Sequence, residues 1–260
     1  MFAGKTALVT GSTRGIGFEI ARAFAKSGAN VVVNGASDAA QVEAARVALA
    51  QDHDVGVMGW RADVANADEV EDMIAAATRR FGGVDILVAN AGVQHVAPIE
   101  EFPIEAWSRV LATNLSSAFY AMRAVLPQMK SRKRGRIILI ASAHATVASP
   151  FKSAYVAAKH GLAGLAKTAA LETARDGITV NAIAPGYVWT ELVDRQIPAT
   201  MAARGMTREE VMDQVLLAAQ PIRRFVTPQE VADLAVYLAS DAASAITGAI
   251  LPMDGGWTAQ

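Results

Sequence analysis

The chain has no cysteine, so disulfides and cysteine-ligated zinc sites are excluded. Neither sign of charge dominates: 24 Lys and Arg stand against 25 Asp and Glu, for a formal net charge of −1. No basic block exceeds Arg132-Lys-Arg134, which reads as a solvated loop. Such a surface carries no electrostatic footprint for nucleic acid. No uninterrupted apolar run reaches 18 residues, so no membrane-spanning helix is expected. The N-terminus enters an apolar strand within five residues, and no signal-peptide core fits there. Aromatic residues are scarce, at 6%, while Ala and Gly are abundant, which suits close packing of helices on a sheet. A cytoplasmic protein is expected, with neither a nucleic-acid nor a membrane partner and with no metal site.

At 260 residues, 52% hydrophobic and 19% charged, the chain suits one large or two small domains. Short apolar runs alternate with longer helical ones. Strands are expected at Thr6–Thr10, Asn30–Asn34, Val55–Trp60, Asp85–Ala89, Arg136–Ala141, Ile178–Ile183 and near 249–253. Helices are expected at 15–27, 38–51, 67–81, 104–130 (its end disturbed by Pro127), 153–175 and 228–240. The strand runs are apolar throughout rather than alternating, as when both faces of a parallel sheet are covered. Repeated βαβ units imply right-handed crossovers in a single doubly wound α/β domain over 1–260. Residues 187–225 break the rhythm. An insertion there, beyond the carboxyl end of a strand, is where a substrate lid sits.

Two motifs carry chemistry. Thr10-Gly11-Ser-Thr-Arg-Gly15-Ile-Gly17 follows the first strand and opens the first helix. Glycines there allow a tight turn, and the helix N-terminus offers free N–H groups and a favourable dipole to a pyrophosphate. The second is Tyr155 with Lys159, one helical turn apart. A tyrosine becomes a base near neutral pH only if its pKa drops by roughly three units, about 4 kcal/mol of differential stabilisation. The Lys159 ammonium, with a positively charged cofactor, is expected to supply it.

With the glycine spacing Gly-x-x-x-Gly-x-Gly, this pair resembles the short-chain dehydrogenase/reductase family, and the likeness runs through the whole chain. Asp63-Val64, Asn90-Ala-Gly92, Asn114, Ser142, Pro185-Gly186, Thr190 and Asp254-Gly-Gly256 stand in the family's order. The resemblance implies a Rossmann-like parallel sheet of about seven strands, helices on both faces and a small helical lid. It implies a cofactor held by Gly11, Thr13, Arg14, Gly15, Ile16, Gly17, Asp63, Val64, Asn90, Gly92, Tyr155, Lys159, Pro185, Gly186, Val188 and Thr190. It implies a catalytic set of Tyr155 as base or acid, Ser142 on the reacting oxygen, Lys159 on the nicotinamide ribose and Asn114 in a proton path. It also implies a homotetramer, through the long helices at 104–130 and 153–175.

A second layer points to the substrate. Gln94, His144, Lys152 and Gln196 fall in loops at strand carboxyl ends or in the lid, and offer amide, imidazole and ammonium donors suited to a small carboxylate. The runs 148–160, 192–197 and 225–228 and the ending Asp254-Gly-Gly-Trp-Thr258 resemble the members of the family that interconvert D-3-hydroxybutyrate and acetoacetate. By that resemblance these four residues bind the carboxylate, beside Ser142 and Tyr155, and Trp257 walls the pocket. Tyr187 stands where tryptophan is expected. It keeps an aromatic wall and adds a hydroxyl, from which a longer or more polar 3-hydroxy acid is expected to be admitted. NAD is the expected cofactor. Arg14 argues for some NADP use, and the second strand ends Asn34-Gly-Ala-Ser37 with no acid to hold a ribose diol. The alternatives are an NADPH-dependent 3-oxoacyl or sugar reductase, in which Lys152 and His144 are dispensable, and a non-catalytic dinucleotide-binding protein. The complete Asn–Ser–Tyr–Lys set argues against the second.

Overall fold

The computed structural model describes residues 1–36 and 38–259. Ser37, which closes the second-strand run quoted above, and Gln260 lie outside the described residues. Seven parallel strands form one sheet in the order β3-β2-β1-β4-β5-β6-β7. They are β1 (Thr6–Val9), β2 (Asn30–Gly35), β3 (Val57–Arg61), β4 (Ile86–Ala89), β5 (Gly135–Ile140), β6 (Ile178–Pro185) and β7 (Ile250–Met253). The expected doubly wound α/β architecture is present, and the strand order reverses direction between β1 and β4, where such sheets open a crevice.

The helices are α1 (Gly15–Lys26), α2 (Ala39–Asp52), α3 (Ala67–Phe81), α4 (Ile104–Leu111), α5 (Ser117–Ser131), α6 (Ser153–Thr173), α7 (Glu191–Arg204), α8 (Arg208–Glu210) and α9 (Pro228–Ala239). Leu8, Val32, Leu87, Ile137 and Leu139 point to the layer of α3, α5 and α6. Their neighbours Val9, Val33, Val88, Ile138 and Ile140 point to the layer of α1, α2 and α9. Both strand faces are therefore dry, which is why the strand runs do not alternate in hydropathy. A third cluster belongs to the lid: Val193, Ile197, Val211 and Leu216 pack with Tyr187, and Trp257 lies against them.

One expectation needs correction. The helix expected over 104–130 is interrupted, though not by Pro127, which sits inside α5. The interruption is a π-helical turn at Ala112–Ser116 that widens the backbone around Asn114. Residues 187–225 are mostly helical, with α7, α8 and a π turn at Val211–Leu217. Two of these stretches are bounded by their own signals. Thr190 caps α7 and Thr207 forms a capping box with Glu210.

A small polar network fixes the glycine loop against the sheet. Asn34, fully buried at the end of β2, accepts from Gly11 N at 3.1 Å and donates to the Ala62 carbonyl at 3.1 Å. Ser12 Oγ donates to the Val9 carbonyl at 2.6 Å and accepts from Asn34 N at 3.0 Å. Asn90, just past β4, donates to the carbonyls of Thr10 and Gly11 at 2.9 and 3.0 Å. Replacing Asn34 by Ala strands the Gly11 N–H and two carbonyls. A loss of about 2–3 kcal/mol is expected, read as a lower urea midpoint with an unchanged slope, together with a raised cofactor KM.

Candidate active site

The site lies along the carboxyl ends of the strands, where side chains leave the sheet and loops begin. The residues expected to hold cofactor and substrate all line one continuous cavity of about 410 Å³. Asn114 sits behind the wall and clasps the chain after β4: its Oδ1 accepts from Val93 N at 2.8 Å, and its Nδ2 donates to the Val93 carbonyl at 2.9 Å. Its role in this geometry is to hold the Asn90–Val93 turn, through the backbone offset that the π turn supplies.

The cofactor half is shaped by the glycine loop. Gly11 has φ +61°, in the left-handed region that disfavours other residues. At Gly17 a Cβ would stand 2.4 Å from Asn90 Nδ2 and 2.5 Å from the Gly11 carbonyl oxygen, so no side chain fits. The first turn of α1 has no acidic residue, and its N-cap residue Arg14 makes no side-chain cap. The free N–H groups and dipole of α1 thus face an open cleft, as a bound pyrophosphate requires. The donor set fits a dinucleotide.

Arg14 does not point to the ribose end of β2. Its Nη1 lies 2.9 Å from Glu191 Oε2 at the start of α7, and Arg195 holds the other Glu191 oxygen. An acid stands one residue beyond the Asn34–Ser37 run. Asp38 lines the cavity beside Gly35, Ala36 and Gln41, and one of its oxygens accepts from Ala40 N at 2.8 Å to cap α2. Its identity as a helix cap is the signal that would have found it.

Tyr155 and Lys159 share one face of α6, as their spacing predicts. Lys159 Nζ lies 5.4 Å from the Tyr155 ring centroid and donates to the Ile140 carbonyl at 2.7 Å. The expectation that Lys159 makes Tyr155 a base is not met by the chain alone. Burial pushes the Tyr155 phenol up to about 12, while a hydrogen bond to Ser142 pulls only partly the other way. Burial also pushes Lys159 down to about 8. Desolvation outweighs the pairing, with Lys159 buried and Tyr155 partly buried at the cavity wall.

The substrate half gathers round Tyr155. Ser142 Oγ lies 3.2 Å from His144 Nδ1, and His144 Nε2 lies 2.8 Å from Ser149 Oγ. The His144 ring meets Tyr155 edge-on at 5.8 Å and Trp257 at 5.0 Å. Burial and the Lys152 charge push His144 down to about 3, so it is a neutral hydrogen-bonding group. Lys152 precedes α6 and is itself buried, and burial followed by the charge of Arg204 pushes it down to about 8. Phe151 before it has φ +68°, a costly conformation for a bulky residue. The Phe151 carbonyl accepts from Ala97 N at 3.1 Å, and its ring lies 5.7 Å from the Arg204 guanidinium. Tyr187 stacks on Trp257 at 5.2 Å, and its hydroxyl accepts from Lys152 Nζ at 3.2 Å. Gln94 and Gln196 line the same cavity, and Gln94 Oε1 is buried without a partner among the described residues. Sequence reasoning missed Gln220, fully buried, whose Oε1 accepts from Tyr187 N and whose Nε2 donates to the Arg224 carbonyl at 2.5 Å. No local pattern marks it, because its partners come from the far end of the lid. Among the described residues no group of three or more His, Asp or Glu is placed to hold a metal, and no helix is long and apolar enough to cross a membrane.

Comparison with known proteins now defines the class. The family model described as enoyl-(acyl carrier protein) reductase matches residues 11–258, and the chain belongs to this short-chain dehydrogenase/reductase family of nicotinamide-dependent oxidoreductases. It is 54% identical over 256 residues to a D-beta-hydroxybutyrate dehydrogenase of Rhizobium meliloti strain 1021, covering 98% of this chain and 99% of the relative. It is 53% identical to the D-beta-hydroxybutyrate dehydrogenase of Cupriavidus necator over 260 residues, all of both chains. Among solved structures it superposes on an F189W actinorhodin polyketide ketoreductase with NADPH at a TM-score of 0.93, with 37% identity and 99% of each chain covered.

Lys159 yields a test of its burial. Its pKa in the folded chain, about 8, is below the ordinary 10.5, so the unfolded state binds more protons between those values. Stability from this group therefore rises as pH climbs from about 8 to 10.5. Lys159→Met is expected to be more stable than the parent below pH 8, on the order of 1–3 kcal/mol, with the difference shrinking towards pH 10.5. Urea unfolding of the cofactor-free protein at pH 7, 9 and 10.5 measures it. A difference that is flat with pH contradicts the buried ammonium.

Proposed function

We propose that this protein interconverts D-3-hydroxybutyrate and acetoacetate, with NAD as its cofactor. The observation that carries the substrate reading is the buried Lys152 ammonium in the cavity that holds Tyr155. It has a hydroxyl and not a carboxylate as its acceptor among the described residues. A buried cation without an anionic partner is costly, and a substrate carboxylate offsets that cost. Full-length identity of 53–54% to two dehydrogenases named for that substrate supports the same reading.

In the proposed reaction Lys152, His144, Gln94 and Gln196 orient the carboxylate, and Trp257 with Tyr187 walls the pocket. Ser142 hydrogen-bonds the C3 oxygen while Tyr155 takes its proton, and in the reverse direction Tyr155 returns it. A bound oxidised nicotinamide would supply the acceptor for the C3 hydride, and its positive charge would favour the Tyr155 phenolate that burial alone disfavours. Gly11, Gly15 and Gly17 admit the pyrophosphate, Lys159 holds the ribose, and Asp63 and Val64 flank the adenine. NAD is favoured over NADP because Asp38 lines the ribose end of the cleft and would repel a 2′-phosphate, while Glu191 engages Arg14. The exposed Trp107, Phe119 and Leu171 on α4, α5 and α6 support the homotetramer.

Initial rates with D- and L-3-hydroxybutyrate against NAD and NADP test the reading. The D isomer with NAD is expected to give at least tenfold the rate of any other combination. Silence on all four sinks the substrate assignment, and a strong NADP preference sinks the cofactor assignment.

A pH profile tests Lys152, which Tyr187, His144 and Arg204 surround. The group loses its charge as pH rises through about 8 in the free enzyme. The value of kcat/KM for D-3-hydroxybutyrate is therefore expected to bend downward above pH 8 while kcat does not, because bound carboxylate holds the proton on Lys152. Lys152→Met is expected to remove that bend and to lower kcat/KM by about 100- to 1,000-fold, as for a broken buried charge pair.

A further inference from the structure

The hydroxyl of Tyr187 is the feature that neither the fold nor the shared chemistry of the site requires. A ring alone would make the stack on Trp257, which is nearly parallel at 15° and 5.2 Å. Tyr187 is held from three sides. Its N–H donates to Gln220 Oε1, its carbonyl accepts from Val226 N at 2.9 Å, and its side chain belongs to the lid cluster of Val193, Ile197 and Leu216. A residue fixed this firmly presents its hydroxyl at one place. That place is beside Lys152, whose Nζ donates to it at 3.2 Å, with both side chains over nine-tenths buried.

We propose that the Tyr187 hydroxyl is a specificity-determining group for the carboxylate of the substrate, resting on the reading above that the site takes a small carboxylate. The chemistry follows from the donor count. Lys152 has three N–H donors and no lone pair, so the contact spends the phenol oxygen as acceptor and leaves the phenol proton to donate. A hydroxyl that accepts from an ammonium is polarised and becomes a stronger donor. Burial holds that proton firmly, pushing the phenol up to about 12, so the group is a neutral donor and never a competing anion. The Tyr187 hydroxyl and Lys152 then present an O–H and N–H donors to one carboxylate from one side of the cavity. The expectation that the extra hydroxyl widens the range of 3-hydroxy acids is replaced by the opposite one. The hydroxyl anchors the anion end, so selection for a short carboxylate tightens.

The test uses butyrate, a carboxylate of the same length without the reacting oxygen, titrated calorimetrically into the enzyme–NADH complex. Tyr187→Phe keeps the ring and its stack, and NADH affinity serves as the control for folding. It is expected to weaken butyrate binding about tenfold. That corresponds to about 1.4 kcal/mol at 25 °C. KM for D-3-hydroxybutyrate is expected to rise similarly, with kcat changed less than threefold. In a Lys152→Met background the same substitution is expected to change butyrate affinity by less than twofold, because the donor is no longer polarised. Equal butyrate affinity in the parent and Tyr187→Phe overturns the role of the hydroxyl, whatever the turnover. A parent that binds butyrate but does not oxidise D-3-hydroxybutyrate overturns the substrate reading alone. A parent that binds no butyrate overturns both.

Discussion

Two buried lysines govern this site. Among the described residues neither Lys152 nor Lys159 has a carboxylate partner; one donates to a phenol and the other to the Ile140 carbonyl. Neutral acceptors do not recover the hydration an ammonium loses on burial, which is why both sit near 8 rather than 10.5. A protein selected for stability alone would have replaced them with apolar side chains of similar volume. Their retention makes sense if something absent from the polypeptide completes the site. Lys159 lies beside Tyr155 on the cofactor side, and Lys152 lies beside Tyr187 and His144 on the far side. On the proposed function the two charges mark the two ligands separately.

The fold makes this arrangement affordable by keeping it at one edge. The interiors of β1, β4, β5 and β6 are dry on both faces, and the helices cover them. Polar side chains collect where the strands end: Asn34 at the end of β2, Asn90 after β4, Ser142 after β5 and Tyr187 after β6. Each of the first two satisfies backbone groups that a tight turn would leave unpaired. The π turn at 112–116 performs a similar task from the helix side. It places the Asn114 amide where its oxygen and nitrogen both meet Val93, and so holds the Asn90–Val93 stretch that lines the cavity.

Much of this was legible in the sequence because it rests on short-range spacing. A glycine loop between a strand and a helix, or Tyr and Lys at i and i+4, means the same thing in most contexts. What was not legible depends on partners far apart along the chain. Arg14 looked like a candidate for a phosphate, and its engagement by Glu191 joins residues 177 positions apart. Gln220 carries no motif, and its task exists only once the lid has folded back over β6. The π turn escaped because an inserted residue leaves the apolar periodicity on either side intact. Asp38 lies three residues beyond the end of β2, and what marks it is its place as the cap of α2. The spacing of Tyr155 and Lys159 reports their proximity and says nothing of burial, which in the chain without a cofactor opposes the phenolate.

The lid is joined to the chemistry through its own core. Tyr187 packs in the cluster that holds α7 and the π turn at 211–217 together, and Trp257, from the chain after β7, lies against the same cluster. Of the two stacked rings that line this end of the cavity, Tyr187 is therefore also a core residue of the lid, and Trp257 packs against it. Packing of this density does not deform gradually, so a lid displaced as a unit would carry the Tyr187 ring and hydroxyl with it. The contact between Tyr187 and Lys152 would then break as the lid opens and re-form as it closes. In that case the donors that grip a carboxylate are assembled only in the closed state. Anion binding and lid closure become one equilibrium, and a ligand that engages both groups favours the closed form by its differential contact with it.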